Sequence, residues 1–280
     1  MIDFAVTLLW TAAQLTAMQS PRITETLNVT AMAPSLGTPA AVTTLGRVEL
    51  ESSPAATLDD ALRAVPGFSL FRRSSSRVAN PTTQGVTLRG LAASGASRAL
   101  VLADDVPLND PFGGWVYWNR VPAAALAAVS VARGAAGDLY GGDALAGVIS
   151  IRSSADPAVR GLVEGGTDGL ARVSGYGGNN RVFGSAEYGR IDGFVIVAPE
   201  SRGSIDDEAG SRHAVVNAGG LFTPGQSAVW VRASHFDEAR RNGTPLQDNA
   251  TRITQASSRF SRASADGALF GAHAYALTQR

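Results

Sequence analysis

The sequence predicts an α+β domain that is followed, after about Arg152, by antiparallel β-strands of the kind that span membranes as a barrel. Two observations support this prediction. Between residues 129 and 151, two short strands of alternating apolar residues flank a glycine-rich crossing. From residue 181 to 188, Val, Gly, Ala and Tyr alternate with Arg, Phe, Ser and Glu, as expected of a strand between lipid and a wet lumen.

The composition limits the functions that the chain can have. Its 24 basic and 24 acidic residues balance, which gives no electrostatic case for a nucleic-acid partner. Cysteine is absent, which excludes disulfides, thiol catalysis and thiolate metal sites. No run of about 18 apolar residues occurs, so no membrane-spanning helix is predicted.

The first 38 residues are predicted to be a leader and a linker. Residues 1–20 are predicted to be a signal peptide because residues 4–17 are apolar, although Asp3 stands where a basic residue is usual. Residues 21–38 are polar and flanked by proline, so we expect a flexible linker. Its middle is the extended segment Glu25, Thr26, Leu27, Asn28, Val29, Thr30 and Ala31.

Short elements follow in the α+β domain. Thr57 is expected to cap a helix whose apolar face includes Leu62 and Val65 and which ends at Pro66-Gly67. Residues 71–80 form a polar loop, residues 84–90 a strand, residues 99–102 a fully buried strand, and residues 122–127 one helical turn.

Residues 110–122 combine four aromatic side chains with glycine hinges. They include Phe112, Trp115, Tyr117 and Trp118, with Asn119 and Arg120 beside them. Two interpretations are open. The aromatic rings form a platform for a ligand, or they wedge the domain against a barrel wall, which we favour.

The remaining strands are predicted near residues 159–167, 169–177, 181–188, 213–222, 227–237, 252–263 and 268–278. Short turns at residues 178–180, 223–226 and 265–267 alternate with long polar loops at about 199–212 and 238–251. This is the pattern of short periplasmic and long extracellular connections in outer-membrane barrels.

These segments together resemble the plug domain of TonB-dependent outer-membrane receptors. The resemblance rests on Val-x-Val-x-Arg-Gly from residue 129, Leu-Tyr-Gly from residue 139, Gly-Val-Ile-x-Ile from residue 147, and the Arg-Gly strand end at Arg89. It implies a plug domain over residues 39–153, with a small mixed sheet and short helices. Residues 154–280 would then be the N-terminal part of a transmembrane β-barrel.

The resemblance also implies roles for particular residues. The segment from Glu25 to Ala31 is similar to a TonB box, the strand that pairs with TonB by strand addition. Arg89 and Arg133 resemble the plug arginines that pair with barrel carboxylates. Six side chains are possible substrate-facing residues: Arg72, Arg73, Trp115, Tyr117, Trp118 and Asn119. For the loop that holds the first two, a purely solvated surface is an equal alternative.

The implied function is that of a receptor in a Gram-negative outer membrane, with its N-terminus in the periplasm. Such receptors bind a ferric siderophore, haem or cobalamin and import it with energy relayed by TonB. TonB, outer-membrane lipid and a small-molecule or metal-chelate substrate are the expected partners, and no cofactor is expected. Barrels of this class have about 22 strands. Because only about seven strands are predicted here, we expect the chain to be an N-terminal fragment. An exported β-rich binding or adhesion module without transport is the alternative.

No motif supports an enzyme. The sequence contains no Gly-x-Ser-x-Gly elbow, no phosphate-binding loop and no His-Glu-x-x-His motif. His213, His235 and His273 fall in separate predicted strands, and we interpret them as ordinary strand residues rather than metal ligands. No metal site is therefore predicted.

Overall fold

The computed structural model of the chain describes residues 41–72, 74–90, 95–134, 140–264 and 267–280. The predicted signal peptide, the linker with Glu25 to Ala31, and Arg73 lie outside the described residues.

The α+β domain, residues 41–153, contains a mixed sheet and short helices. In chain order its elements are β1 (Ala41–Gly46), α1 (Arg47–Ser52), α2 (Leu58–Ala61), β2 (Phe68–Leu70), β3 (Val86–Leu88), β4 (Ala99–Ala103), β5 (Val106–Pro107), β6 (Leu126–Arg133) and β7 (Gly147–Ser153). Turns of 3-10 helix lie at Leu62–Ala64, Pro81–Thr83, Trp118–Arg120, Ala123–Ala125 and Gly142–Ala144. The main sheet has the order β1-β6-β7-β4-β5, and β4 runs parallel to β7. The predicted mixed sheet is confirmed.

The helix predicted from Thr57 is present but short. α2 ends at Ala61 and continues as the 3-10 turn, and Leu62 and Val65 are buried as predicted. The hydroxyl of Thr57 donates to the carboxylate of Asp60 at 2.9 Å and does not cap a backbone amide. Among the residues described, no helix is both long and apolar enough to cross a membrane.

The domain encloses an apolar core that includes Leu62, Val101 and Ile149. Gly147 begins β7 at the close approach of β6 and β7, with φ at +138°. A Cβ atom at Gly147 would lie 2.2 Å from the carbonyl oxygen of Ala132. Glycine is therefore required there for both its conformation and its lack of a side chain.

The second part is an antiparallel sheet of seven strands, which we call the wall. Its strands are β8 (Val159–Gly165), β9 (Ala171–Gly178), β10 (Val182–Val195), β11 (Glu208–Phe222), β12 (Ser227–Asn242), β13 (Asp248–Ala263) and β14 (Leu269–Gln279). They lie side by side in chain order, and a 3-10 turn at Pro199–Ser201 precedes β11. All seven predicted strands are present. In the described residues β8 and β14 do not pair with each other, so the wall is an open sheet.

The two faces of the wall alternate as predicted. In β10, Phe183, Ser185 and Glu187 are buried against the α+β domain, whereas Val182 and Tyr188 are half exposed on the opposite side. We call the face that contacts the α+β domain the inner face and the opposite one the outer face. The period of two along each strand sets this division.

The prediction of a long loop over residues 238–251 is wrong, because most of these residues are in β-strands. β12 continues to Asn242 and β13 begins at Asp248, which leaves a connection of only residues 243–247. Backbone pairing runs on to the Arg241 and Asp248 pair. Polar side chains there indicate a strand end beyond the apolar band, not a loop. For the same reason β11 begins at Glu208, within the other predicted loop.

Candidate functional site

The α+β domain packs against the inner face of the wall through an apolar centre. Tyr117 is buried among Val215, Phe236 and Ile253, which come from β11, β12 and β13. The ring centroids of Tyr117 and Phe236 are 6.2 Å apart, in a tilted arrangement. At Tyr117 the aromatic loop is therefore a wedge between the two parts.

A buried polar cluster of this contact centres on Arg240 in β12. The Arg240 guanidinium donates to the two carboxylate oxygens of Glu238, at 2.6 and 2.8 Å. It also donates to the carbonyl oxygens of Ser76 and Ala79, at 2.8 and 2.9 Å. Asn119 donates to Glu238 Oε1 at 3.0 Å. We call these five residues the Arg240 cluster, and it attaches the loop before β3 to the wall.

Two more wall strands hold the same loop. Arg77 donates to both carboxylate oxygens of Glu164 in β8, at 2.7 and 2.8 Å. Arg172 in β9 lies 2.7 Å from the same carboxylate. The carbonyl oxygen of Arg77 accepts a hydrogen bond from the Ser211 hydroxyl in β11 at 2.6 Å. The loop predicted to be solvated or substrate-facing is thus a contact with the wall.

Arg72 lies inside the α+β domain rather than on the predicted surface. Its side chain is 1% exposed and forms an ion pair with Asp59 in α2. The other oxygen of that carboxylate accepts a hydrogen bond from Ser76 at 2.9 Å. Burial, and then the charge of Arg240, lower the pKa of Arg72 to about 10, which leaves it charged at neutral pH. Arg72 is held inside because the buried Asp59 carboxylate requires an opposite charge.

The turn between β4 and β5 brings two carboxylates to the wall. Asp104 and Asp105 have φ angles of +47° and +67°, a region that Asp adopts more readily than most residues. Asp104 forms an ion pair with Arg232 in β12, and Asp105 forms one with Arg259 in β13. In these two pairs the α+β domain supplies the acids and the wall supplies the arginines. The prediction was the reverse, with arginines of the α+β domain and carboxylates of the barrel.

The 3-10 turn at Ala123–Ala125 contacts β9 and β10 through its backbone. The amide of Ala123 donates to Glu187 Oε2 at 2.8 Å, and the amide of Ala124 donates to the Ser174 hydroxyl at 3.1 Å. The other oxygen of Glu187 lies 3.1 Å from His213 Nε2. His213 is therefore an internal partner of a wall carboxylate.

Asp110 connects the aromatic loop to β14. Its carboxylate accepts hydrogen bonds from the amides of Phe112 and Gly113, at 2.9 and 2.7 Å, and from Gln279 at 2.6 Å. The Tyr117 hydroxyl donates to it at 3.2 Å. Burial alone would raise the pKa of Asp110, but these hydrogen bonds outweigh it and hold the pKa below its ordinary value.

The groups at this contact bind the two parts of the chain to each other. Its members are ion pairs and hydrogen bonds between two folded parts. Within the part of the chain that the structure describes, no group of three or more His, Cys, Asp or Glu side chains is placed to hold a metal ion.

A family model described as the TonB-dependent receptor plug domain matches residues 34–148. That range covers the α+β domain almost to the end of its sheet. Over those residues the chain is similar to the plug domain of TonB-dependent receptors. We therefore call the α+β domain the plug from here on, while its exact boundaries at residues 39 and 153 stay predictions.

Relatives and solved structures agree with this assignment. The vitamin B12 transporter BtuB of Vibrio vulnificus (strain CMCP6) is 29% identical over 172 residues, which covers 58% of this chain and 27% of the transporter. An iron-regulated outer membrane virulence protein of Vibrio cholerae serotype O1 (strain ATCC 39541 / Classical Ogawa 395 / O395) is 29% identical over 170 residues, covering 55% of this chain and 24% of that protein. The chain thus spans about a quarter of the length of these curated relatives.

The fold is shared with solved receptors at low identity. The siderophore receptor PirA from Acinetobacter baumannii has a TM-score of 0.63 at 17% identity, covering 85% of this chain and 39% of that chain. The copper transporter OprC has a TM-score of 0.61 at 18% identity, covering 88% of this chain and 39% of that chain.

The structure separates the predicted aromatic site residues. Trp118 is buried in the plug core, Tyr117 and Trp115 pack in the apolar cluster at the wall, and Asn119 binds Glu238. Phe112 is 94% exposed at the tip of the same loop. A substrate role for Trp115, Tyr117, Trp118 and Asn119 stays a prediction, and the structure gives three of them contacts with the wall.

The two predicted contact arginines do not meet a wall carboxylate among the described residues. Arg133 donates within the plug, to the carbonyl oxygens of Ala41 and Pro66 at 3.2 and 2.8 Å and to Thr43 Oγ1 at 2.9 Å. Arg89 is exposed, with φ at +55°. Their pairing with barrel carboxylates stays a prediction.

The residues that hold the two parts together were not predicted from the sequence. A signal existed in β12, where Arg232, Glu238 and Arg240 all have even numbers and so share one face of the strand. Charged side chains on the inward face of a barrel strand require partners inside the barrel. The adjacent carboxylates Asp104 and Asp105, directly after the predicted buried strand at residues 99–102, were a second signal.

Proposed function

We propose that this chain supplies the plug and part of the wall of a receptor in a Gram-negative outer membrane. The receptor binds a scarce substrate outside the cell and imports it into the periplasm, where its N-terminus lies. The observation that supports this most directly is the seating of the plug, which has its own apolar core, on the inner face of the wall. A plug held there by ion pairs and hydrogen bonds closes the passage at rest, and those bonds are breakable when transport is driven.

The substrate is proposed to be of the ferric siderophore, haem or cobalamin type. In support, the names of similar proteins include a vitamin B12 transporter and a siderophore receptor. Those names describe the other proteins, and the copper transporter shares the same fold.

Transport also requires a closed wall. Within the described residues, β8 and β14 each pair with a strand on one side only, and each unpaired backbone group costs several kcal/mol in lipid. We propose that further strands complete the barrel in the working receptor.

Energy is proposed to come from TonB through the segment from Glu25 to Ala31. Pairing by strand addition depends on backbone amides, and proline lacks one. Val29→Pro should therefore abolish capture of the receptor by the periplasmic domain of TonB in a pull-down. Val29→Ala is the matched control, because it keeps the amide and should still be captured.

Capture of Val29→Pro at the level of the unchanged receptor would show that this segment is not the coupling strand. Uptake of radiolabelled cyanocobalamin and of ferric enterobactin, measured in the same strains, tests the transport proposal. If cells that hold the folded receptor in the outer membrane took up neither probe and no haem, the proposed substrate class would be contradicted.

A further inference from the structure

Three arginines lie close together on the outer face of the wall. Arg190 in β10 and Arg212 in β11 are directly opposite each other in register. Arg241 in β12 is a diagonal neighbour of Arg212, since Arg212 is opposite Ala239. All three are exposed on the face that does not contact the plug. We call Arg190, Arg212 and Arg241 the Arg212 patch.

The positive charge of this patch is only partly matched. Arg190 forms an ion pair with Asp192 at 3.1 Å, and both side chains are at least half exposed. Arg241 donates to the backbone carbonyl of Asp192 at 2.8 Å. In the described residues neither Arg212 nor Arg241 has a carboxylate within ion-pair distance, although Asp248 is opposite Arg241 in register. Like charges placed directly opposite destabilise a sheet, so an anion bound at Arg190 and Arg212 would relieve their repulsion.

Other acids nearby are already engaged. Asp237, on the outer face of β12, forms an ion pair with Arg252 at 2.9 Å. In the adjacent loop, Asp206 and Asp207 accept hydrogen bonds from the backbone amides of Gly203 and Glu208. These acids do not neutralise Arg212.

The patch lies at one end of an apolar band. Along β11, the outer-face residues between Arg212 and Phe222 are alanine, valine, alanine and glycine. Ten residues of strand span about 33 Å, and at the usual barrel tilt this is about 25 Å along the membrane normal. That height matches the apolar band of outer-membrane barrels. Arg212 therefore lies at the membrane interface, on the side of the longer connections.

Two open depressions lie on this face of the wall. A depression of about 580 Å³ is lined by Arg190, Arg212 and Arg241 together with Tyr188 and the acids Asp192 and Asp248. A second depression of about 620 Å³, within the apolar band of the same face, is lined by Ala218, Ala233, Ala256 and Ala276. These four alanines are in one register row across β11, β12, β13 and β14.

We propose that the Arg212 patch binds the phosphate of an anionic lipid from the outer leaflet, whose acyl chain lies along the apolar face below. Guanidinium groups bind phosphate through two parallel hydrogen bonds, and basic pockets at the interface recognise lipid headgroups in this way. Arg212 and Arg241 supply the charge, since no carboxylate among the described residues forms an ion pair with either of them. This inference rests on the proposed outer-membrane location, but not on the identity of the imported substrate.

The test measures lipid binding by the receptor purified from outer membranes in a non-ionic detergent. Three probes separate the contributions: dioctanoyl phosphatidic acid, dioctanoylglycerol, which lacks the phosphate, and inorganic phosphate. The variants are Arg212→Gln, Arg241→Gln and the matched control Arg262→Gln. Arg262 is an exposed arginine on the same face, near the opposite end of β13. Heat-modifiable migration on gels checks that each variant is folded.

Phosphatidic acid should bind the unchanged receptor and the Arg262→Gln control equally. Arg212→Gln and Arg241→Gln should each weaken that binding by about tenfold or more, because each loses a charged hydrogen-bond donor. Arg241→Gln decides the matter if Arg212→Gln does not fold. Equal binding of dioctanoylglycerol, or equal loss in the control, would overturn the site. Binding of inorganic phosphate as tightly as phosphatidic acid would overturn the lipid.

The measurement involves neither TonB nor uptake. Intact uptake without phosphate-dependent lipid binding would refute this site alone. If the unchanged receptor bound phosphatidic acid as expected but imported none of the substrate probes, the proposed function would be refuted and the lipid site would stand.

Discussion

Replacing the buried carboxylate of the Arg240 cluster should loosen the plug from the wall. Glu238→Gln keeps the size of the side chain and one acceptor oxygen but removes the negative charge. The Arg240 and Glu238 side chains are 2% and 3% exposed, so water cannot replace the lost charge. The Arg240 guanidinium would then be buried with only neutral acceptors, including the carbonyl oxygens of Ser76 and Ala79.

The expected loss in the free energy of unfolding is about 3 to 5 kcal/mol, the usual cost of leaving one member of a buried ion pair unmatched. An exposed ion pair between β12 and β13 is the matched control. The Arg252 and Asp237 side chains are 62% and 46% exposed. Asp237→Asn should therefore cost no more than about 1 kcal/mol.

The assay is equilibrium urea unfolding in detergent, followed by tryptophan fluorescence. Trp118 lies in the plug core and Trp230 in the wall, so both parts are reported. Replacing both partners, with Glu238→Leu and Arg240→Met, should cost less than Arg240→Met alone, since no buried charge is left unmatched. If Glu238→Gln were no more costly than Asp237→Asn, the Arg240 cluster would not hold the plug.

Two further predictions concern the plug. Gly147→Ala should reduce the folded protein in the membrane more than Gly134→Ala does, although both positions have positive φ. A new Cβ at Gly147 would clash with the carbonyl oxygen of Ala132 at 2.2 Å, whereas one at Gly134 would make only an ordinary contact with Arg89 at 3.9 Å. Equal amounts of the two folded variants by heat-modifiable migration would contradict this clash. Asp110 has a lowered pKa in the folded state, so its stabilisation is full above about pH 4 and is lost as the pH falls through the folded value. In urea titrations Asp110→Asn should be less stable than the unchanged protein at pH 7, with a difference that shrinks below about pH 4; a difference that does not change with pH would argue against it.

The sequence predicted the elements of this fold because their patterns are local. A period of two placed all seven wall strands and assigned Phe183 and Glu187 to the inner face. Its apolar face and the Pro66-Gly67 stop predicted the helix after Thr57, and an apolar run predicted the fully buried strand β4. The position of Pro122 predicted the turn at Ala123–Ala125. Each of these patterns depends on residues within one or two turns or strand steps.

The ends of the long strands could not be predicted in the same way. Residues 238–251 are polar, and polarity alone does not distinguish a loop from a strand that projects beyond the membrane. Backbone pairing across β11, β12 and β13 decided the matter, because it continues through Arg241 and Asp248. That pairing is a property of three strands together.

The sequence by itself determined the resemblance to a TonB-dependent receptor plug, the order of plug and wall, and which side chains of β10 face inward. Only the tertiary structure decided which charges meet. Arg72 turned inward to Asp59, Asp104 met Arg232 from β12, and Arg240 reached carbonyl oxygens some 160 residues before it. A buried charge must find a partner within a few ångströms, and that distance is set by the register of the wall and the seating of the plug, which no local pattern encodes.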